Sequence, residues 1–224
     1  MTMLSARAGY QLWAPAYEAE TPASFLEQEI VSQLPSSTTA NRLLDVGCGT
    51  GRRVQGSDAR LVVGVDLSEH VLSHADVALH RAAADVGALP FRDESFDLVW
   101  CRLVIGHVAG AESAYAELSR VCLPGGTVIV TDYCAEAWAA GHRRGFRDED
   151  GVHHELEHFR RTHEEQVEMA RAEGLACEAF TCGRVGDSVR TFYEAAGRAA
   201  AYKEQVGLRL VHAMAFRKRA TSEA

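Results

Sequence analysis

The sequence has no long apolar run and no excess of basic residues, and we do not expect its first residues to be a secretory leader. No segment approaches the roughly 20 apolar residues that a membrane-spanning helix needs. The formal net charge of -8 disfavours nucleic acid as the main partner, because nucleic-acid binders normally carry a basic excess. Residues 1–11 lack the basic start and the apolar core of a signal peptide. We therefore expect a cytoplasmic protein that binds neither nucleic acid nor membrane.

Paired cysteine motifs are also missing. None of the cysteines forms a C-x-x-C pair, so a zinc cluster or a redox motif is not expected. Several cysteines lie inside apolar runs, where a thiol behaves as a small hydrophobic group. We therefore predict free, buried thiols at Cys48, Cys101, Cys122, Cys134, Cys177 and Cys182.

The sequence does contain an alternation of strand-like and helix-like segments over 224 residues, a length typical of one domain. Near-continuous apolar strands that alternate with helices indicate a parallel sheet covered on both faces, hence a doubly wound α/β fold. Because the last two strand-like runs follow long helices, we expect an antiparallel strand at one edge. The strand-like runs are 42–47, 60–66, 77–85, 95–101, 126–133, 175–181 and 208–217.

Helix boundaries are marked by capping residues. Ser68 precedes a short apolar segment as an N-cap, and Thr162 with Glu165 forms a capping box. The pattern over 111–123 has one apolar face and should stop at the following proline. The helix that begins after Thr162 should end at Gly174, because glycine is favoured just past a helix terminus.

Two segments fall outside the alternation. Residues 1–34 precede the first strand and look helical, and residues 134–160 form an insertion after the fifth strand. Segments at the carboxyl ends of the strands usually build the ligand pocket of such a fold. We predict a single domain over 1–224, with an N-terminal helical cap and an insertion that both lie over the active site.

A glycine-rich turn follows the first strand, in the sequence LLDVGCGTGRRV of residues 43–54. A phosphate loop would need a Gly-Lys-Ser/Thr ending, and no lysine occurs in this stretch. A dinucleotide fingerprint would need its third glycine at position 52, but the glycines fall at 47, 49 and 51. Asp66, at the end of the second strand, could accept both hydroxyls of a ribose in either type of enzyme. The turn alone therefore leaves its ligand open.

The segments downstream of this turn are more specific. LDVGCGTG, VVGVDLS, AADVGALPF, SFDLVWC and LPGGTVIVTD occur in that order. In this combination the chain resembles class I S-adenosylmethionine (SAM)-dependent methyltransferases, in particular the small-molecule branch that includes quinone and acyl-carrier methyltransferases. The resemblance covers residues 10–133 well and 162–217 in organisation only. It implies a Rossmann-like, mostly parallel seven-stranded sheet whose last strand is antiparallel, and SAM as the cofactor.

The resemblance also implies roles for individual residues. Glycines in the turn would let the backbone approach the cofactor, and Asp45 would lie near its aminoacyl part. Asp66 would bind the ribose hydroxyls and Asp85 the adenine amino group. Tyr10 and Tyr17 match an N-terminal element that closes over the cofactor, where aromatic faces favour a sulfonium by about 0.5–2 kcal/mol. The implied cofactor-binding residues are Tyr10, Tyr17, Asp45, Gly47, Cys48, Gly49, Gly51, Asp66, Leu67, Asp85, Val86, Cys101, Arg102 and Leu103.

One departure concerns the helix after the turn. Fewer residues than usual separate Gly51 from Asp66, so this helix should have about one turn. Contacts that relatives make from it are therefore not assigned to Arg52 or Arg53.

Residues 154–158 match the H-E-x-x-H pattern of zinc proteases. Alternating residues from Val152 onward instead predict a strand, in which positions four apart are about 13 Å distant. His154 and His158 could not then share one zinc ion, so no metal site is expected.

Methyl transfer from SAM to an oxygen, nitrogen or carbon atom of a small-molecule acceptor is the predicted reaction. It is a one-step in-line displacement, and a general base helps only where the acceptor carries a proton of high pKa. His107, after the fourth strand, and His142, in the insertion, are the candidate catalytic residues. Two alternatives stay open: an NAD-dependent oxidoreductase, and a SAM-binding module without catalytic activity.

Overall fold

A computed structural model describes residues 2–13, 20–35, 38–74, 80–148 and 150–220. Its strands are β1 (Thr2–Leu4), β2 (Arg42–Val46), β3 (Leu61–Asp66), β4 (His80–Ala83), β5 (Phe96–Arg102), β6 (Cys122–Tyr133), β7 (Gly145–Arg147), β8 (His153–Leu156), β9 (Leu175–Arg184) and β10 (Arg209–Lys218). Its α-helices are α1 (Ala6–Trp13), α2 (Pro22–Ser32), α3 (Glu69–Ser73), α4 (Ala111–Val121), α5 (Ala135–Ala139), α6 (His163–Ala172), α7 (Arg190–Ala195) and α8 (Ala199–Gln205). Short 3-10 helices span Arg52–Gly56, Ile105–His107 and Asp187–Val189. No helix in the described ranges combines the length and the apolar character needed to cross a bilayer.

The main sheet has seven strands in the order β4-β3-β2-β5-β6-β10-β9. The pairs β3–β4, β2–β3, β2–β5 and β5–β6 are parallel, whereas β10 is antiparallel to both β6 and β9. The predicted seven-stranded, mostly parallel sheet with an antiparallel last strand is therefore confirmed.

The position of the antiparallel strand differs from the expectation. It does not lie at an edge, because β10 is inserted between β6 and β9. Burial explains the order: β10 is buried along most of its length, whereas the edge strand β9 has several exposed or half-buried side chains. The more apolar strand gains more from an interior position, where both of its faces and both of its hydrogen-bonding edges are covered.

Helices cover both faces of this sheet. Because side chains alternate along a strand, Leu43 faces one layer and Leu44 the other. On the first face, Leu26 and Ile30 of α2 pack against the sheet, and on the second face Leu118 of α4 does so. The doubly wound arrangement that the sequence predicts is therefore present.

Local signals mostly predicted the element ends. The Ser68 side chain accepts from the Val71 amide at 3.3 Å, and the Thr162 capping box with Glu165 is complete. The helix starting at 111 ends at Val121, two residues earlier than predicted, because β6 begins at Cys122. Pro124, Gly125 and Gly126 lie inside that strand. There the pairing with β5 skips from Cys122 to Thr127, since proline has no amide hydrogen for the ladder.

A second, three-stranded sheet corrects the prediction that residues 1–34 are helical. Thr2–Leu4 forms β1, which pairs in parallel with β8 of the insertion, and β8 pairs with β7. Met3 lies opposite Glu155 in this pairing. The helical expectation holds for Ala6–Trp13 and Pro22–Ser32. The predicted strand around residue 154 is confirmed by β8. The start of the chain and the insertion are thus joined by backbone hydrogen bonds.

All six cysteines are free, and four of them are buried as predicted. Cys177 is exposed and Cys182 is half-buried, which corrects the expectation for these two. Both belong to β9, whose edge position leaves side chains at the surface.

Candidate active site

A cavity opens at the carboxyl ends of β2, β3 and β5, with helix α1 along one side. Strands of a doubly wound sheet end in this way at the usual ligand crevice. The cavity brings together many of the residues that the sequence singles out. Those that line it are Tyr10, Gly47, Gly49, Asp66, Leu67, Asp85, Val86, Arg102, Leu103 and His107.

The glycine turn shapes the floor of the cavity. Gly47 has φ +74°, and a Cβ at this position would lie 2.1 Å from Cγ2 of Val104. The amides of Gly47 and Cys48 both donate to the carbonyl of Val65, at 2.7 and 3.0 Å. The backbone of the turn is therefore fixed against β3. Only glycine fits at position 47 without displacing Val104.

Asp66 is oriented by the turn and by the next helix. One carboxylate oxygen accepts from the Gly49 amide at 2.9 Å, and the other accepts from the Ser68 amide at 2.9 Å. Burial raises the pKa of Asp66, while these backbone donors act in the opposite direction. Each carboxylate oxygen keeps a second lone pair, so the group can still accept hydrogen bonds from two hydroxyls.

Asp85 and Val86 follow β4 on the same side of the cavity. The Asp85 carboxylate accepts from the Gly87 amide at 2.8 Å, which closes a tight turn. Asp85 is exposed and Val86 is buried. The turn therefore presents one carboxylate and one apolar side chain beside Leu67.

Other predicted residues lie elsewhere. Asp45 is buried inside β2, where burial raises its pKa to about 6 and Oδ2 has no hydrogen-bond partner among the described residues. Cys101 is fully buried in the core, and Cys48 and Gly51 are buried in the turn behind the cavity wall. His142 lies in the insertion, with Nε2 3.0 Å from Oε1 of Gln205. Tyr17 falls outside the described residues.

Arg102, at the end of β5, is held by a buried acid that the sequence analysis missed. Its Nε donates to Oε1 of Glu27 at 2.8 Å, and its Nη2 donates to Oε2 at 2.9 Å. Burial alone would raise the pKa of Glu27, but Arg102 and Arg53 outweigh it and lower the pKa to about 2. An available signal was the position of Glu27 on the apolar face of α2, between Leu26 and Ile30.

His107 lines the cavity just after β5. Its Nε2 is 3.2 Å from the Tyr10 hydroxyl, and its Nδ1 is 2.8 Å from the carbonyl oxygen of Glu157. Because a carbonyl only accepts, the proton is on Nδ1, and Nε2 accepts from Tyr10. Burial, together with nearby Arg144, lowers the pKa of His107 to about 4. His107 is therefore a neutral imidazole with both nitrogens engaged.

A second histidine lies next to His107 and was missed as a site residue. Nε2 of His158 is 3.1 Å from Oδ1 of Asp132, at the end of β6, and the two imidazole rings are 5.3 Å apart. His154 bonds instead to Asp148, at 2.6 Å. The two histidines of the H-E-x-x-H pattern thus have different partners. Sequence alone offered no sign of the pairing between Asp132 and His158, because it joins β6 to the insertion.

Known proteins place this geometry in context. Residues 44–130 match the family model described as a methyltransferase domain. A malonyl-acyl-carrier protein O-methyltransferase of Salmonella typhimurium is 35% identical over 137 residues, which cover 53% of this chain and 53% of the relative. The chain spans about half the length of the curated relatives that it matches.

Solved structures show the same fold at low identity. A SAM-dependent methyltransferase of Mesorhizobium loti superposes with a TM-score of 0.63 at 20% identity, over 86% of this chain and 97% of that one. The 4+2 cyclase SpnF superposes with a TM-score of 0.66 at 21% identity, over 99% and 98% of the two chains. A likeness of this kind concerns the fold alone.

The ordered motifs, the matched family model and the sheet topology agree with one another. Residues 44–130 therefore match a methyltransferase domain, and the chain resembles class I S-adenosylmethionine-dependent methyltransferases, in particular the acyl-carrier methyltransferases.

Proposed function

We propose that this chain transfers a methyl group from SAM to a nucleophilic atom of a small-molecule acceptor. The observation that carries the proposal is the Asp66 carboxylate, fixed by the Gly49 and Ser68 amides at the mouth of the cavity. A carboxylate held in this way suits the two hydroxyls of a ribose. The glycine turn beside it has no lysine, which favours a nucleoside without phosphates.

The residues of the cavity suit SAM in other respects. Gly47 and Gly49 line the cavity with bare backbone, and Asp85 offers an exposed acceptor for an adenine amino group. Asp45 keeps an unpartnered, buried oxygen behind the turn. We propose that the whole predicted set of cofactor-binding residues, Tyr17 and Cys101 included, serves this ligand. SAM supplies an activated methyl group on a positively charged sulfur.

The main task of the protein is then alignment. A nucleophile must lie about 3–3.5 Å from the methyl carbon, and holding it there lowers the barrier substantially. We propose that residues 1–34 and 134–160 form the cap of a single domain and enclose the acceptor. The pairing of β1 with β8 supports this, since it joins the two segments into one sheet. We further propose that the protein acts in the cytoplasm and does not bind nucleic acid.

The two predicted bases have different surroundings. His107 lines the cavity, but both of its nitrogens are engaged and its pKa is lowered to about 4. His142 is bonded to Gln205, away from the residues that line the cavity. Of the two, His107 is the better placed to touch the acceptor. Its low pKa favours a role in alignment over proton abstraction at neutral pH.

Calorimetry on Asp66→Ala tests the cofactor assignment. We expect the dissociation constant for SAM to rise at least tenfold, about 1.4 kcal/mol, because hydrogen bonds to a charged group are lost. Asp58→Ala, at an exposed position outside the cavity, is the matched control. Unchanged affinity in Asp66→Ala, or stabilisation of the wild type by NAD instead of SAM in a thermal-shift assay, would overturn the proposal. The cyclase fold neighbour makes a second measurement necessary: SAM binding without any methylated product would favour a non-catalytic module.

A further inference from the structure

Two buried polar atoms on neighbouring rings close to His107 have no hydrogen-bond partner in the part of the chain that the structure describes. They are Nδ1 of His158 and Nε1 of Trp138, and the ring centroids are 4.4 Å apart. The His158 side chain is 4% exposed and Trp138 is 6% exposed. A buried polar atom without a partner costs about 1–3 kcal/mol, so two such atoms on adjacent rings point to a ligand that satisfies them.

The hydrogen-bond chain around His158 determines its tautomer. Asp132 Oδ1 also accepts from the Tyr133 amide at 2.7 Å, and Oδ2 lies 3.3 Å from Nε2 of Gln166. This carboxylate is therefore held in place and accepts from Nε2–H of His158. With the proton on Nε2, Nδ1 carries a free lone pair. His158 thus presents a proton acceptor, and Trp138 presents a donor.

The backbone around Gly106 positions His158 closely. A Cβ on Gly106 would lie 1.9 Å from Nε2 of His158, so the imidazole packs directly on bare backbone. The amide of Phe159 donates to the Gly106 carbonyl at 2.7 Å and fixes the next residue of the insertion to the same segment. His158 lies one ring beyond His107, which lines the cavity, and faces Tyr133 at a centroid distance of 6.0 Å.

We propose that the methyl acceptor is a hydroxyl group bound against the edges of Trp138 and His158, and that His158, positioned by Asp132, receives its proton. This inference rests on the proposed function. A hydroxyl oxygen has two lone pairs and one proton. One lone pair accepts from Nε1–H of Trp138, the other attacks, and the proton faces Nδ1 of His158.

Other acceptor groups match this pair of rings less well. A carboxylate has no proton to offer and would place its own lone pairs against that of Nδ1. A neutral amine has only one lone pair, which it needs for attack and cannot share with the indole N–H of Trp138. His107 does not compete for the role, because both of its nitrogens are already engaged.

Methyl transfer to this hydroxyl forms one bond to carbon and breaks two bonds. As the bond between the acceptor oxygen and the methyl carbon forms, the carbon–sulfur bond breaks and its electron pair stays on sulfur. The O–H bond breaks at the same time, and the proton moves to Nδ1 of His158. The resulting imidazolium keeps its Nε2–H bond to the Asp132 carboxylate and later releases the proton to solvent.

The first test reads the tautomer directly. Protein with ¹⁵N-labelled histidine is saturated with S-adenosylhomocysteine, and long-range proton–nitrogen spectra are assigned by comparison with His158→Gln. We expect Nε2 of His158 to be protonated and Nδ1 to be bare. In Asp132→Ala, which removes this acceptor, the Nε2–H form of His158 should lose population while the other histidine signals stay in place. A wild-type proton on Nδ1, or an unchanged tautomer in Asp132→Ala, overturns the inference.

The second test uses 4-nitrophenol, in a mildly acidic buffer that keeps its hydroxyl protonated, with 4-nitroanisole and 4-nitrobenzoate as analogues that lack the hydroxyl. In the S-adenosylhomocysteine complex, 4-nitrophenol should shift the Nδ1 signal of His158 and bind at least about fivefold more tightly than either analogue. His158→Gln keeps an amide for Asp132, and Trp138→Phe keeps a ring. Each substitution should lower the affinity for 4-nitrophenol by at least about fivefold. His80→Gln, at an exposed strand position, should leave this affinity unchanged.

The outcomes separate this inference from the proposed function. Failure of the wild type to bind S-adenosylhomocysteine would contradict the methyltransferase proposal itself. Binding of S-adenosylhomocysteine without preference for 4-nitrophenol, or equal binding in His158→Gln, overturns only the hydroxyl acceptor and its base.

Discussion

The side of the cavity that we propose for the cofactor and the side that we propose for the acceptor, called the cofactor side and the acceptor side, are built in different ways. On the cofactor side, hydrogen bonds join residues close in sequence: Gly49 and Asp66 are 17 positions apart, and Asp66 and Ser68 are 2 apart. On the acceptor side, the bond between Tyr10 and His107 spans 97 positions. The bond between His107 and Glu157 spans 50, and that between His158 and Asp132 spans 26.

This difference shows where each half obtains its geometry. The cofactor side is shaped by turns that directly follow strands of the main sheet, so a short motif determines it. The acceptor side exists only after β1 and the insertion pack beside the ends of β5 and β6. Substitutions on the two sides should therefore differ in whether they change ligand affinity, overall stability or both.

We expect the largest effect on stability at Glu27, whose carboxylate binds Arg102. Glu27→Ala leaves Arg102 buried without its carboxylate, which should lower the free energy of unfolding by about 3–5 kcal/mol. Denaturant unfolding at neutral pH measures it. Glu29→Ala, at an exposed position on the same helix, is the control. A loss in Glu27→Ala no greater than in Glu29→Ala would show that this ion pair does not support the site.

The second-largest effect should be a loss of stability on the acceptor side at low pH. Burial lowers the pKa of His107 from 6.5 to about 4, so the unfolded chain takes up this proton first as the pH falls. The neutral ring of His107 contributes its full share to the free energy of unfolding above pH 6.5. This contribution, about 3 kcal/mol, is lost as the pH falls through about 4. Unfolding of His107→Gln and wild type at several pH values measures the difference.

The contribution of Asp45 to stability changes in the opposite direction over part of this pH range. Its pKa is raised to about 6, so its folded form gains stability as the pH falls toward 3.8. Since Asp45 is present in both proteins, its contribution cancels in the comparison with His107→Gln. If the two proteins lose stability in parallel between pH 6.5 and pH 4, the buried neutral state of His107 is wrong.

A smaller effect is expected at the glycine turn. Gly47→Ala combines a positive φ with a clash against Val104, whereas Gly125→Ala has a similar φ and open space around it. We expect Gly47→Ala to lose about 1–3 kcal/mol more stability than Gly125→Ala, together with SAM affinity. Unfolding and calorimetry measure the two quantities. Equal losses in both variants would mean that the turn can move away from Val104.

The smallest effect should come from Tyr10→Phe, which removes one hydrogen bond across the acceptor side. We expect a loss of about 0.5–1.5 kcal/mol in the free energy of unfolding. Tyr202→Phe removes an exposed bond to Asp187 and serves as the control. Indistinguishable thermal unfolding of the two variants would show that the bond between Tyr10 and His107 adds nothing beyond a surface contact.

Much of the fold could be predicted from the sequence, because strands, caps and turns carry local signals. The apolar runs predicted every strand of the main sheet, and Ser68 and Thr162 cap their helices as expected. The order of β9 and β10 could not be predicted, since it depends on which strand gains more from burial. Strand β1 was also missed, because three residues at the start of a chain show no periodicity and form a strand only against β8.

The candidate site also has features that the sequence predicted and features that only the structure shows. By itself, the sequence determined the class of domain and placed Gly47, Asp66 and Asp85 at strand ends, because a parallel sheet brings the turns after its strands to one edge. Only the tertiary structure decided that Glu27 holds Arg102 and that Asp132 holds His158. Both pairs join distant segments, and burial makes each polar group take whichever partner the packing brings within reach.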